Sequence, residues 1–112
     1  MNWDINEKYN CVVITLSGKI MGGPHAEDFR DDLHKLIEND KKNVVVDLSK
    51  VKFMNSSGLG ILIGGLTTMK NAGGDMKLAG ATEKIQSLLM VSQLNRVFDN
   101  YETLDEATEA YQ

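Results

Sequence analysis

The first regular feature of the chain is a two-residue alternation. Val12, Ile14 and Leu16 interleave with Val13, Thr15 and Ser17, and this β-branched pattern predicts a strand with one buried face that ends at Gly18. Trp3 and Ile5 predict a short partner strand before it. From Pro24 the period lengthens. Phe29, Leu33, Leu36 and Ile37 share one helical face while Glu27, Asp31, Asp32 and Lys35 face water, so a helix is expected from Pro24 or His25 to Asn39 with Pro24 near its first turn. Val44, Val45 and Val46 form an unbroken apolar run, too short for a helix and bounded by Lys41, Lys42, Asn43 and Asp47. That is the pattern of a central strand covered on both faces.

Ser56 and Ser57 precede a second helical stripe, Leu59, Leu62, Ile63, Leu66 and Met69, which stops at Gly73 and Gly74. Met76, Leu78 and Ala79 predict another strand, and the segment from Val44 to Ala79 has the length of a right-handed parallel crossover. Thr82 is placed to cap a third helix carrying Ile85, Leu88, Leu89 and Val91, and Val97 with Phe98 predicts a short edge strand. Thr103 and Glu106 have capping-box spacing for a last helix with Leu104, Ala107 and Tyr111. The expected fold class is α/β, a small mixed β-sheet flanked by about four helices, in a single domain over residues 1–112.

Composition narrows the choice of function. With 42% apolar and 25% charged residues the chain can bury a core of its own, and its one cysteine, Cys11, leaves no disulfide to rely on. Net charge is −4 and the basic residues are scattered, so direct nucleic-acid binding is not expected. Neither a membrane span nor a leader segment is legible, which places the expected location in the cytoplasm.

Each constellation that invites a chemical reading is incomplete. Neither Ser56 nor Ser57 has a glycine two residues before it, as a nucleophile elbow needs, and only His25 and His34 are available as bases. Two histidines and one cysteine without close spacing do not form a zinc site. Gly58, Gly60 and Gly64 follow the valine strand too late for a dinucleotide fingerprint, and read instead as small residues that let a helix pack closely on the sheet. Gly22 and Gly23 lack the lysine of a phosphate-binding loop and read as turn residues beside Pro24. No catalytic residue, metal or cofactor is expected, and the chain is not read as an enzyme.

Among the methionines, Met69, Met76 and Met90 fall at expected core positions, while Met21 and Met54 fall in expected loops, where exposed methionine makes an adaptable contact surface. Cys11 reads as a small buried hydrophobe. Of the adjacent serines, one is expected to cap the helix while the other points to solvent. A hydroxyl at a helix N-terminus is also where a phosphoryl group is best accommodated, because free amides and the positive end of the helix dipole meet the added charge.

The run from Asp47 to Gly60, with Phe53, Met54, Asn55, Ser56, Ser57, Gly58 and Leu59 in order, resembles the signature of STAS domains, and in particular of the stand-alone bacterial anti-sigma factor antagonists. The resemblance extends over nearly the whole chain, from the opening strand pair to the Asn71-Ala72-Gly73-Gly74 stop. It implies partner switching. The unphosphorylated protein binds an anti-sigma factor that is also a serine kinase of the histidine-kinase-like ATPase type, phosphorylation at the position of Ser56 ends that complex, and a serine phosphatase restores it. By position the implied contact surface comprises Met21, Gly22, Gly23, Met54, Asn55, Ser56, Ser57 and Gly58. Two departures stand out: Asn55 replaces the acidic residue before the serine, and Met21 stands where the loop after Gly18 commonly carries another acid. The same residues also fit a scaffold that is never phosphorylated and docks through Met21, Met54 and the serine loop, or a nucleotide-binding module.

Overall fold

Strand neighbours follow chain order. In the computed structural model, which describes residues 1–111, β1 (Asn2–Glu7), β2 (Val12–Ile20), β3 (Asn43–Met54), β4 (Asp75–Ala79) and β5 (Asn100–Tyr101) lie side by side in sequence. β1 runs antiparallel to β2 and the remaining neighbours are parallel, giving the mixed sheet expected from the sequence. The helices α1 (His25–Glu38), α2 (Ser56–Asn71) and α3 (Glu83–Val91) each connect two parallel neighbours, and α4 (Leu104–Glu109) follows β5.

Strands that step steadily in one direction, joined by crossovers of one hand, place all their connecting helices on one face. The core divides accordingly. Ile14, Leu16, Val44, Val46 and Leu48 pack with Phe29, Leu33, Leu62, Leu66, Ile85 and Leu89 from the three crossover helices. The alternate residues Cys11, Val13, Val45 and Ala79 pack with Ala107 of α4, aided by Tyr101, Leu104 and Tyr111. Val44, Val45 and Val46 are thus covered on both sides, as their unbroken apolar run predicts.

Local chemistry fixes the element ends. Pro24 leads into α1, whose first turn carries Glu27 and Asp28. Trp3 holds the edge strand to that helix: its indole Nε1 donates to Asp32 Oδ2 at 2.8 Å and its ring meets Phe29 edge-on, with centroids 5.6 Å apart. α2 stops where Gly73 takes a φ of +84°, and a β-carbon on Gly74 would overlap the Lys42 carbonyl oxygen. Thr82 accepts from the Ile85 amide as expected, and Thr103 accepts from the Glu106 amide at 3.2 Å. The capping box is altered, since the Thr103 hydroxyl donates to Glu106 Oε1 at 3.1 Å.

α4 is further tethered by Asn10 Nδ2, which donates to the Thr108 carbonyl at 2.6 Å, and by the Tyr111 hydroxyl, which donates to the Val44 carbonyl at 2.8 Å. Beside Tyr111 lies the buried Lys77, whose ammonium contacts Asp99 at 2.9 Å and Asp75 at 3.3 Å and sits 4.8 Å from the Tyr111 ring centre. Burial pulls the Lys77 pKa down, but its hydrogen bonds and charge attraction to Asp99 and Asp75 prevail and hold it above the usual lysine value. Burial, reinforced by Asp75, raises the Tyr111 phenol well above its ordinary range. Cys11 is buried as expected, and that burial raises its thiol pKa against the opposing pull of Lys8.

Three expectations fail in the C-terminal third. The stripe of α3 is Ile85 and Leu89 with Leu88 half-buried, whereas Met90 and Val91 are exposed. At 100° per residue Met90 and Val91 lie about 140° and 240° around the helix from Ile85, off the packed face. Val97 and Phe98 do not form a strand. Gln93 adopts a left-handed φ of 64°, a 3₁₀ turn follows at Leu94–Arg96, and the edge strand forms later at Asn100–Tyr101. Phe98 reaches the core from this turn while Val97 is exposed.

Candidate functional site

Ile20 and Met54 are paired at the ends of β2 and β3, so the loops leaving these strands start side by side. The Asn55 amide donates to the Ile20 carbonyl at 3.3 Å, which fixes the turn into α2. Its side chain then caps the helix: Oδ1 accepts from the Gly58 amide at 2.8 Å, while the Asn55 carbonyl accepts from Leu59 at 3.0 Å. Neither serine caps, contrary to expectation. Asparagine satisfies the orphan amide as well as serine does, and the strand ends so close to the helix that residue 55 alone occupies the cap position. The available signal is the asparagine itself, set between the buried Met54 and the first helical turn.

Both serines are exposed, and among the described residues neither hydroxyl makes a hydrogen bond. No acidic residue stands in the first turn of α2, so no carboxylate there offsets the positive end of the helix. The two serines differ in what lies beside them. Gly22 has a φ of +87°, and a β-carbon on it would stand 2.7 Å from the Ser57 Cβ. Ser57 therefore backs onto the β2–α1 loop. Gly23 has a φ of +83° and open space around it, so both glycines act in the turn as expected.

The structure thus brings Met21, Gly22 and Gly23 to the same end of the sheet as Asn55, Ser56 and Ser57. Met21 is 49% exposed, Gly22 and Asn55 are half-buried, and Gly23 is exposed. Two members of the expected contact surface do not reach it. Met54 is only 3% exposed because it is the final inward residue of β3 and belongs to the core, not to a loop. Gly58 is buried, with a β-carbon there overlapping the Ile20 carbonyl oxygen and lying 2.9 Å from Met54 Cγ. Its role is close packing of α2 on the sheet.

Gly65 does the same against Met76, whose Cε would be 2.9 Å from an added β-carbon. Gly60 and Gly64 do not share that role, since nothing lies within 4 Å of a β-carbon at either. They border a groove of about 410 Å3 between α1 and α2, floored by Phe29, Leu33 and Ile61. His25 and His34 are both exposed, and no group of three or more metal-binding side chains occurs among the described residues. No described helix is long and apolar enough to cross a membrane.

The anti-sigma-B factor antagonist of Bacillus subtilis (strain 168) is 27% identical to this chain over 99 residues, covering 88% of this chain and 89% of that protein. The fold matches the crystal structure of a candidate anti-sigma factor antagonist from Thermotoga maritima with a TM-score of 0.86 at 21% identity, covering 97% and 93% of the two chains. It also matches the Bacillus cell fate determinant SpoIIAA in its phosphorylated form, with a TM-score of 0.73 at 20% identity over 99% and 100%. A STAS domain family model matches residues 2–107, and with the strand order and the serine turn described above, the chain belongs to the STAS domain family.

Proposed function

We propose that this protein is an anti-sigma factor antagonist that works by partner switching, with Ser56 as the phosphorylated residue. The reading rests chiefly on the free Ser56 hydroxyl at the start of α2, which is relieved of capping by Asn55 and so is open to an incoming kinase. Relatives that match over most of their length are named for antagonism of anti-sigma factors. The protein in this reading is a substrate and binding partner, not a catalyst.

The unmodified surface, formed by Met21, Gly23, Ser56 and Ser57 with Gly22 and Asn55 behind them, docks on an anti-sigma factor with serine kinase activity. Phosphorylation adds a charge of about −1.5 to −2 at the centre of that contact. Against a desolvated or acidic partner surface this costs several kcal/mol, enough to lower affinity by orders of magnitude. Within the protein the dianion is well received, because the first-turn amides and helix dipole attract it and Asn55 is uncharged. A carboxylate at residue 55, about 6 Å away, would repel it by about 1 to 3 kcal/mol at an effective dielectric of roughly 40 to 80. Ser57 is the less suitable acceptor because its Cβ is packed against Gly22.

Incubation with a candidate anti-sigma factor kinase of the same organism and ATP, followed by mass spectrometric mapping, tests the assignment. Phosphate should appear on Ser56 and be absent from Ser56→Ala, and labelling that persists in that variant refutes the site. The reading as an unphosphorylated scaffold docking through Met21 and Met54 loses one anchor, since Met54 is buried.

A further inference from the structure

The lone helix α4 covers only part of the outer face of the sheet. Away from it, β3 bulges twice against β2. Thr15 pairs with Asp47 but Ser17 with Lys50, and Gly18 pairs with Val51 but Lys19 with Phe53, so β3 carries an extra residue at each step. The result is a shallow groove of about 680 Å3, bordered by Ser17 and Gly18 of β2, Lys50 and Lys52 of β3, and Thr82 and Lys84 at the start of α3.

The charge of this groove is opposite to that of the molecule. The chain carries a net charge of −4, yet three lysines border the groove and no carboxylate lines it. Lys50, Lys52 and Lys84 form no salt bridge among the described residues, unlike Lys35, Lys41, Lys42 and Lys77. Lys50 and Lys52 lie two apart on one bulged strand, and Lys84 Nζ is held 5.2 Å above the centre of the Phe53 ring.

We propose that this groove is a docking site for an acidic segment of a partner protein, separate from the serine surface and independent of phosphorylation there. The charge pattern calls for an anion, and the shape selects among anions. A concave groove admits a single extended chain but not a flat bilayer. Lys84 already caps one face of the half-buried Phe53 ring, which disfavours nucleobase stacking there. A long nucleic-acid duplex would also be repelled by the chain's net charge of −4.

The experiment uses the full chain and a fluorescein-labelled hepta-glutamate peptide, with hepta-glutamine, inorganic tripolyphosphate and phosphatidylglycerol vesicles as comparison probes. Amide NMR shifts should cluster at Ser17–Gly18, Ser49–Lys52 and Thr82–Lys84. Affinity for hepta-glutamate should fall with salt and drop at least tenfold in Lys50→Gln/Lys52→Gln/Lys84→Gln, whose spectrum should keep its native dispersion. A triple variant of equal charge change elsewhere, Lys8→Gln/Lys35→Gln/Lys70→Gln, should lose less than threefold. Equal losses in the two triple variants, or shifts spread over all lysines, overturn the proposal as non-specific attraction. Tripolyphosphate or vesicles binding at the same residues more tightly than the peptide overturn the choice of a protein partner. Ser56→Asp should leave hepta-glutamate binding unchanged, so failure here is distinguishable from failure of the partner-switch reading.

Discussion

Gly22 and Ser57 lie in such close contact that a β-carbon on the glycine would come within 2.7 Å of the serine Cβ. Gly22 also has a φ of +87°, so any side chain there meets both backbone strain and a clash. Gly22→Ala should destabilise the protein by about 2 to 3 kcal/mol, whereas Gly23→Ala, strained but unobstructed, should cost about 1 kcal/mol. Urea unfolding of the two variants measures the difference, and equal losses would remove the contact from the account.

Gly58 presents a more severe case at the same end of the sheet. Its added β-carbon would overlap the backbone oxygen of Ile20, which cannot swing away as a side chain can. Gly58→Ala should lose about 3 kcal/mol or more, or fail to accumulate as folded protein. Circular dichroism and thermal unfolding provide the reading.

The N-cap assignment separates asparagine from its serine neighbours. Asn55→Ala should cost about 1 kcal/mol, Asn55→Asp almost nothing, and Ser56→Ala or Ser57→Ala less than about 0.5 kcal/mol each. A larger loss at Ser56 than at Asn55, measured by chemical denaturation, would contradict the observed hydrogen bond from Gly58.

Gly60 and Gly64 sit inside α2 with open space where a β-carbon would go. Alanine at either position should raise stability by about 0.5 to 1 kcal/mol, because it restricts the unfolded chain and favours helix without a clash. Thermal melts of Gly60→Ala and Gly64→Ala should shift upward.

Alkaline pH should loosen the outer face. The folded-state pKa values of Tyr111 and Lys77 are both raised. Their contribution is therefore complete below the unfolded values near 10 and is lost as pH climbs past them towards the folded values. Stability should begin to fall above about pH 10. Tyr111→Phe, which removes the hydrogen bond to the Val44 carbonyl, should cost about 1 kcal/mol at neutral pH and make the alkaline decline shallower. Denaturant titrations across pH 8 to 11 test both.

Where the hydrophobic period is long and the end signals are strong, the sequence defines the element. The valine run at residues 44–46, the helix led by Pro24, and the caps at Thr82 and Thr103 are all found where the pattern places them. It is less informative where the chain changes direction within a few residues. Val97 and Phe98 look like a strand pair, but the left-handed Gln93 turns the chain so that only Phe98 faces inward. At the site, the serines and the glycine turn are legible. The burial of Met54 is not, because it depends on how far β3 continues before α2 starts, and the exchange of capping duty to Asn55 depends on the same register. The basic groove is invisible for a similar reason. Its lysines come from separate elements and meet only through two bulges and the absence of a helix above them.

The uneven covering of the sheet gives the molecule a graded resistance to opening. Three crossover helices bind one side, whereas the other relies on six residues of α4 and a few tethers from Asn10, Tyr111 and Lys77. Cys11 packs against Ala107 of α4, so a transient detachment of that short segment would uncover its sulfur. The thiol should then report on that opening. Its rate of reaction with a disulfide reagent, faster in Tyr111→Phe than in the parent, times the lifting of the C-terminal end.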